Sequence, residues 1–424
     1  MLRLLHFSDI HFNEKQGVND DNIEVRDAIE KDLKYLRSIN NTNIDYILVC
    51  GDIAFSGKGK EYRKASEWLN SVCSIVGCKS SSVLTVPGNH DVDRALINKS
   101  FVQKIIHENI KSLTKNDVDK TFEDLVENKH IDLIKTPLSN YNDFASIYAC
   151  IVPNNHLYWE LKHEEFSGFQ LIFRGCNSAL LADKNDDTLP NKMVMSKHQY
   201  YVKDDLKTIY ITLCHHPVEC MIDKEYVENS FDRKVAIQLY GHNHQFHVEK
   251  KEKSLIIHAG AVKPDNNQDG YTPCYNIIDI EIKENEGVAS LSVRIWIREW
   301  NGYKFISGAD KDTMFKDYNI PLNENTNPWV QKKEMVEEDI QKIEMIQTIN
   351  KPIETDSDGE EYTERDVRYK FLTLPFRNRR SIGNDMIQLS FEDSQMSEMA
   401  RSLSFLNKIK EENKYNELWE KINF

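Results

Sequence analysis

Nine side chains in this sequence could hold a metal ion or move a proton, and they fall into five short motifs. Asp9 and His11 stand two apart, Asp52 follows a glycine, Asn89 and His90 follow Gly88, His215 and His216 are adjacent, and His242 and His244 stand two apart. Mixed carboxylate, imidazole and amide donors suit borderline divalent metals such as Mn, Fe or Zn, and match an all-oxygen Ca or Mg cage poorly. One carboxylate can be shared by two such ions. The pair then makes water acidic enough to ionise near neutral pH and absorbs charge on phosphoryl oxygens, which is chemistry for cutting a phosphate ester. Taken singly the motifs are weak, since Asp-x-His arises by chance and Gly-Asp is often only a turn. Their specificity lies in co-occurring, each behind an apolar run.

Those runs are the elements that must position them. Leu2–Phe7, Tyr46–Cys50 and Val83–Val86 read as buried strands, with helical spacing at 23–39 (Ile29, Leu33 and Leu36 on one face) and over 61–76. This is a βαβαβ order with every polar motif at a strand's carboxyl end, where an open α/β sheet keeps its site. The stretch 93–165 turns polar and predicts a mostly helical insertion. Strands resume at 169–174, 209–214, 235–240, 254–258, 275–282 and 289–296. Together these predict one α/β domain over 1–300, built of two facing sheets with outer helices. Beyond it come a charged helix at 332–349 and an acidic stretch near 354–364 within a connecting segment, 301–365. A small helical domain is expected over 366–424, close to the lower size limit for an independent core.

The ordered set Asp-x-His, Gly-Asp, Gly-Asn-His-Asp, His-His and Gly-His-x-His resembles the calcineurin-like metallophosphoesterases, over roughly the first 300 residues. The resemblance implies their αββα sandwich, two mixed β-sheets flanked by helices, with two divalent ions, Mn first and Fe or Zn as alternatives. One ion would be held by Asp9, His11, Asp52 and His244. The second would be held by Asp52, Asn89, His215 and His242, with Asp52 as the bridge. His215 is preferred to His216 because the first of the pair is usually the family's ligand. His90 would act as the acid that protonates the leaving oxygen, and Asp91 would orient its imidazole. Arg94 would either contact substrate phosphate or make a structural salt bridge. The expected activity is a two-metal hydrolase of phosphate esters, with a phosphodiesterase or nuclease acting on nucleic acid or nucleotides placed first. A phosphomonoesterase or protein phosphatase is the alternative, and a catalytically silent scaffold the alternative of another class.

Composition sets bounds on this. A net charge of −14 argues against a broad basic surface for long duplexes, yet leaves single strands and small nucleotides open. Eight scattered cysteines without a Cys-x-x-Cys pair predict reduced thiols rather than a disulfide framework. No apolar run approaches the ~20 residues of a membrane span. The opening run, Met1 to Asp9, is shorter than a signal sequence and closes on a carboxylate, so a cytoplasmic protein is expected. The remaining histidines are expected in surface or packing roles, except His247, which could support the Gly-His-x-His turn. Cys214 is expected as a buried strand residue, and Trp296, Trp300 and Tyr303 as core. The tail, with Phe371 to Phe376 and Leu418 to Ile422, is similar to the small death-like helical domains associated with effectors in bacterial conflict systems. That resemblance implies a protein partner that triggers the enzyme in antiviral defence. A helical extension packed on the catalytic domain or forming a dimer interface is the other expectation for it.

Overall fold

The computed structural model describes residues 1–15, 22–40, 43–183, 193–203, 207–263, 272–285, 288–308, 315–322, 352–355, 361–387 and 396–423. It divides into two compact units, Met1–Ala145 with Cys150–Thr326, and Asn327–Phe424 with Ser146–Ala149. The charged helix expected at 332–349 lies outside the described residues.

The first unit opens with β1 (Leu2–Phe7), α1 (Ile23–Asn40), β2 (Tyr46–Cys50), α2 (Gly59–Val76) and β3 (Val83–Val86). The strands β2 and β3 are buried at every residue, as expected of parallel strands covered on both faces. Helix α2 buries Tyr62, Ala65, Trp68, Leu69, Val72 and Val76, a stripe at three- and four-residue spacing, and ends at Gly77 in the left-handed conformation that a helix C-terminus favours.

Helices α3 (Arg94–Lys99), α4 (Phe101–Lys111), α5 (Lys115–Glu127), α6 (Asp132–Lys135) and α7 (Ser139–Ile147) fill most of the expected insertion. Its last part is not helical. Tyr158–Phe166 is a strand, β4, pairing antiparallel with β5 (Phe169–Cys176). Trp159 and Leu161 alternate inward between charged residues, and that charge disguised a period of two as polar insertion.

The remaining strands are β6 (Thr208–Leu213), β7 (Ile237–Tyr240), β8 (Phe246–Lys250), β9 (Leu255–Ala259), β10 (Cys274–Asn285), β11 (Val288–Trp300), β12 (Phe305–Ser307) and β13 (Lys316–Pro321), with helices α8 (Lys197–Tyr200) and α9 (Lys224–Lys234) between β5 and β7. Among the described residues they form two mixed sheets. The first runs β12-β11-β10-β1-β2-β3, with β13 also pairing β11, and the second runs β4-β5-β6-β7-β9-β8. In the first, β1 is parallel to β2 and antiparallel to β10. In the second, β5, β6, β7 and β9 are parallel. The sheets face each other: Tyr46 of β2 packs on Phe173 of β5 at 4.9 Å between ring centres, and the Trp159 indole donates to Thr85 O at 3.0 Å.

The first sheet runs past the boundary expected at 300, because β12 and β13 both add to β11. Trp300 stacks near Phe305 and Trp296 near Phe315, but Tyr303, expected in the core, is 90% exposed in the turn between β11 and β12.

In the second unit, Pro352–Thr355 pairs antiparallel with Glu361–Thr363 at the ends of the acidic stretch. Among the described residues four helices follow: Glu364–Thr373, Phe376–Met386, Glu398–Glu411 and Tyr415–Asn423. Their core joins Val367, Phe371, Phe405, Leu406, Ile409 and Leu418, and Tyr362 stacks on Trp419 at 4.3 Å. The Tyr362 ring explains why a chain so acidic on either side is drawn into a strand.

Candidate metal centre

Each expected site residue follows a parallel strand. Asp9 and His11 come after β1, Asp52 after β2, and Asn89–Asp91 form a turn after β3. On the second sheet His215 follows β6, and His242 and His244 follow β7. The centre therefore lies across the seam between the sheets.

The backbone turns sharply to aim these side chains. φ is 53° at Asp9 and at His11, 50° at Asp52, 67° at His242 and 55° at His244. A left-handed backbone is unfavourable for residues with a β-carbon, and such strain clusters where function over-determines the structure. The preceding glycines permit the approach. A β-carbon on Gly51 (φ 83°) would come within 2.6 Å of His215 Nδ1, and one on Gly88 would strike the Asp52 carboxylate.

Asp52 is the hub. Its Oδ2 lies 3.4 Å from His215 Nε2 and 3.9 Å from His11 Nε2, while Oδ1 accepts the His90 backbone N–H at 2.8 Å. Asp9 Oδ1 lies 3.2 Å from His244 Nε2, and its Oδ2 accepts the His242 N–H at 3.2 Å. His215 Nδ1 donates to Cys50 O at 2.8 Å, which turns Nε2 toward Asp52 and to 3.0 Å from Asn89 Oδ1. Anchoring one ring nitrogen on a carbonyl is how a ligating imidazole is commonly oriented. Among the described residues, four triplets bring their donor atoms within 4.8 Å of one another: Asp9, His11 and His244; Asp9, Asp52 and His215; His11, Asp52 and His90; His215, His216 and His242.

The protonation states suit a cation. Burial pushes the Asp9 carboxyl up, but the hydrogen bond from His244 and the His215 charge outweigh it and bring it down to about 2. Asp52 is also drawn well below the carboxylate range against its burial, by His215 and His90. Burial brings His11 and His242 down to about 4, leaving neutral rings with lone pairs at pH 7. Ionised carboxylates beside neutral imidazoles are what a divalent ion requires. His215 is the exception: burial would lower it, but Asp52 raises it to about 9, so its ring carries a proton at pH 7 that a bound ion would have to displace. Among the described residues both ring nitrogens of His11, a residue 3% exposed, lack a hydrogen-bond partner, a costly arrangement that a Lewis acid on one of them would partly relieve. The donor set fits a pair of divalent ions.

His90 is only partly buried, and its Nδ1 donates to Phe55 O at 2.9 Å, which leaves Nε2 outside that bond. Asp91 is not its partner, contrary to expectation. The Asp91 carboxylate accepts from the backbone N–H groups of Ile53, Ala54 and Gly88 and from the Tyr62 hydroxyl. Burial and the charge of Asp52 push it up to about 6, and the donors from Ala54, Gly88 and Tyr62 act against that rise. Asp91 thus clasps the loop after β2 to the turn after β3, and the orienting task at His90 falls to a carbonyl that sequence could not assign.

Sequence reasoning also passed over His216. It is buried, with Nδ1 2.8 Å from Ser178 Oγ and its ring 4.6 Å from that of His242. Burial, then the His242 and His215 charges, hold it well below the ordinary imidazole range, and Arg94, opening α3, adds to this. The adjacent pair was visible in the sequence, whereas Ser178 had no motif to mark it. His247 stands exposed on β8 with its ring 6.0 Å from that of His258. His6 lies buried in β1 beside the Cys50 thiol, and burial pushes the Cys214 thiol up to about 12.

A family model and several known proteins are similar to this chain. A family model described as calcineurin-like phosphoesterase matches residues 2–246. A metallophosphoesterase-like protein of Bacillus subtilis (strain 168), YydB, is 25% identical over 314 residues. The match takes in 70% of this chain and 60% of that protein, so the chain spans about 60% of the relative's length. Among solved structures, Vps29 of Chaetomium thermophilum aligns at 9% identity with a TM-score of 0.32, over 76% of this chain and all of that one. A purple acid phosphatase from yellow lupin (Lupinus luteus) aligns at 11% identity with a TM-score of 0.38, over 76% of this chain and 54% of its own.

Proposed function

This chain belongs to the calcineurin-like phosphoesterase family, and from that premise we propose that it is a two-metal phosphodiesterase acting on nucleic acid or nucleotides. Members of the family hold divalent metal ions in a dinuclear site and hydrolyse phosphate esters. The observation that carries the finer reading is Asp52, whose Oδ2 faces His11 on one side and His215 on the other. We assign one ion to Asp9, His11, Asp52 and His244 and the other to Asp52, Asn89, His215 and His242, with Mn as the metal. Such a pair supplies an activated water and charge for the phosphoryl oxygens. The residues do the rest. Asp52 keeps the two ligand groups in register, Cys50 O fixes the His215 ring, and His90 Nε2 gives a proton to the leaving oxygen as the P–O bond breaks. Water adds to phosphorus, and an alcohol and a phosphomonoester leave.

The diester is preferred because His90 stands partly exposed at the rim, able to meet a bulky leaving group. The test is turnover of bis-p-nitrophenyl phosphate against p-nitrophenyl phosphate by the Mn-loaded protein. Faster cleavage of the monoester would replace this reading with a phosphomonoesterase. Asp52→Ala is expected to lose both bound Mn, by elemental analysis, and turnover, and retained activity would defeat the shared-carboxylate assignment.

For the tail we propose a docking module for a protein partner, which makes the enzyme a triggered effector in bacterial defence. The resemblance of its sequence pattern and a core of its own support this. Placing Asp at Leu418 in that core should abolish partner activation while Mn content stays unchanged. Activation that survives in this variant would remove the module from the account. The eight cysteines are thiols, seven of them buried, which favours a reducing, cytoplasmic setting. Among the described residues no helix is long and apolar enough to cross a membrane.

A further inference from the structure

Beside this polar centre stands an aromatic ring that the chemistry above does not use. Phe55 is 47% exposed, and its backbone is held on both sides. Its N–H donates to Phe12 O at 2.9 Å, its carbonyl accepts from His90 Nδ1 at 2.9 Å, and Ala54 before it is held by Asp91. The ring centre lies 5.4 Å from that of His90, tilted by 37°, and 6.1 Å from that of His11. Lys263, whose N–H donates to Asp9 O, carries its ammonium to 5.8 Å from the Phe55 ring centre. A phenyl ring on a backbone tied at three points, half open to solvent and flanked by an ammonium beside His90 and His11, offers a flat apolar face next to a charge.

We infer that Phe55 and Lys263 form a subsite that stacks the nucleobase on the leaving side of the substrate. The inference rests on the phosphodiesterase reading and narrows it to nucleoside esters. The leaving oxygen must reach His90 Nε2, and in a nucleoside the base lies one sugar ring beyond that oxygen. Phe55 is the ring adjoining His90 on the protein side. Stacking suits this position because every base has a π face, and the Lys263 ammonium adds attraction for a base carbonyl or the next phosphate. An alkyl or peptide leaving group would gain apolar contact there but nothing from ring planarity.

The test compares wild type with Phe55→Ala, Phe55→Leu and Phe55→Trp, all full-length, Mn-loaded and matched for thermal melting. Calorimetry gives Kd for adenosine monophosphate and for ribose phosphate, which lacks the base. Turnover gives kcat/KM for a dinucleotide and for the methyl ester of its mononucleotide. The preference for the base-bearing partner should fall by about tenfold in Phe55→Ala and Phe55→Leu and persist in Phe55→Trp. An unchanged preference in Phe55→Ala overturns the subsite, and full rescue by leucine overturns stacking in favour of plain apolar contact. Failure of the underlying reading has a separate signature, since wild type would then cleave neither diester while hydrolysing a monoester.

Discussion

His90 and Asp91 are neighbours with unrelated tasks, and the distinction is made by hydrogen bonds that no motif encodes. With Nδ1 committed to Phe55 O, the His90 ring can be removed without breaking the hydrogen bond that Asp52 accepts from the His90 backbone N–H, and His215 still holds the Asp52 carboxyl down. His90→Ala should therefore keep its Mn content yet turn over roughly 10²–10⁴-fold more slowly. Metal loss in that variant, seen by elemental analysis, would instead make His90 a ligand, an outcome its place in a triplet with His11 and Asp52 leaves open to measurement. At this scale the sequence was legible where chemistry is carried by residue type. Asp9, His11, Asp52, Asn89, His215, His242 and His244 do converge. It was silent where a carbonyl or a hydroxyl does the positioning, as Phe55 O, Cys50 O and Ser178 do. It also did not disclose the positive φ at five of the seven expected ligands, because that conformation is imposed by the packing of loops from different strands.

Among the elements, those with uniform apolar runs were readable, and β1, β2 and β3 appear with the expected bounds. Strand β4 and helix α9 were not. The first hides two inward residues among charges, and the second buries only Val227 and Phe231 of its eleven residues, too little for periodicity to register. Helix α4 yields a pH test away from the centre. His107 is 1% exposed, and burial together with the Lys111 charge, partly offset by Asp183, brings it down to about 4. The unfolded chain takes up this proton near pH 6.5, whereas the folded chain does so only near 4. Its contribution is therefore complete above pH 6.5 and is lost as pH falls toward 4. Urea melts at pH 7 and pH 5 should show a smaller acid penalty for His107→Gln than for wild type, by on the order of 1–2 kcal/mol. Parallel penalties would mean that His107 is protonated in the folded protein.

For the whole molecule, the decisive fact is that the seven expected ligands are drawn from both sheets, Asp9, His11, Asp52 and Asn89 from one and His215, His242 and His244 from the other. Ions bound there belong to the folded state alone, so their binding energy adds to stability. Mn at about a hundred times Kd should stabilise the protein by roughly 2.7 kcal/mol per site, and a chelator should lower the melting temperature by a matching amount. A melting temperature indifferent to EDTA would contradict the assignment. The seam also orders events in time. A nascent chain carries Asp9, Asp52 and Asn89 long before it carries His242, and neither half alone presents a complete set of donors. Metallation must wait until the two halves have closed on each other. On the phosphodiesterase reading proposed above, the newborn polypeptide is thereby a harmless precursor until its synthesis is well advanced.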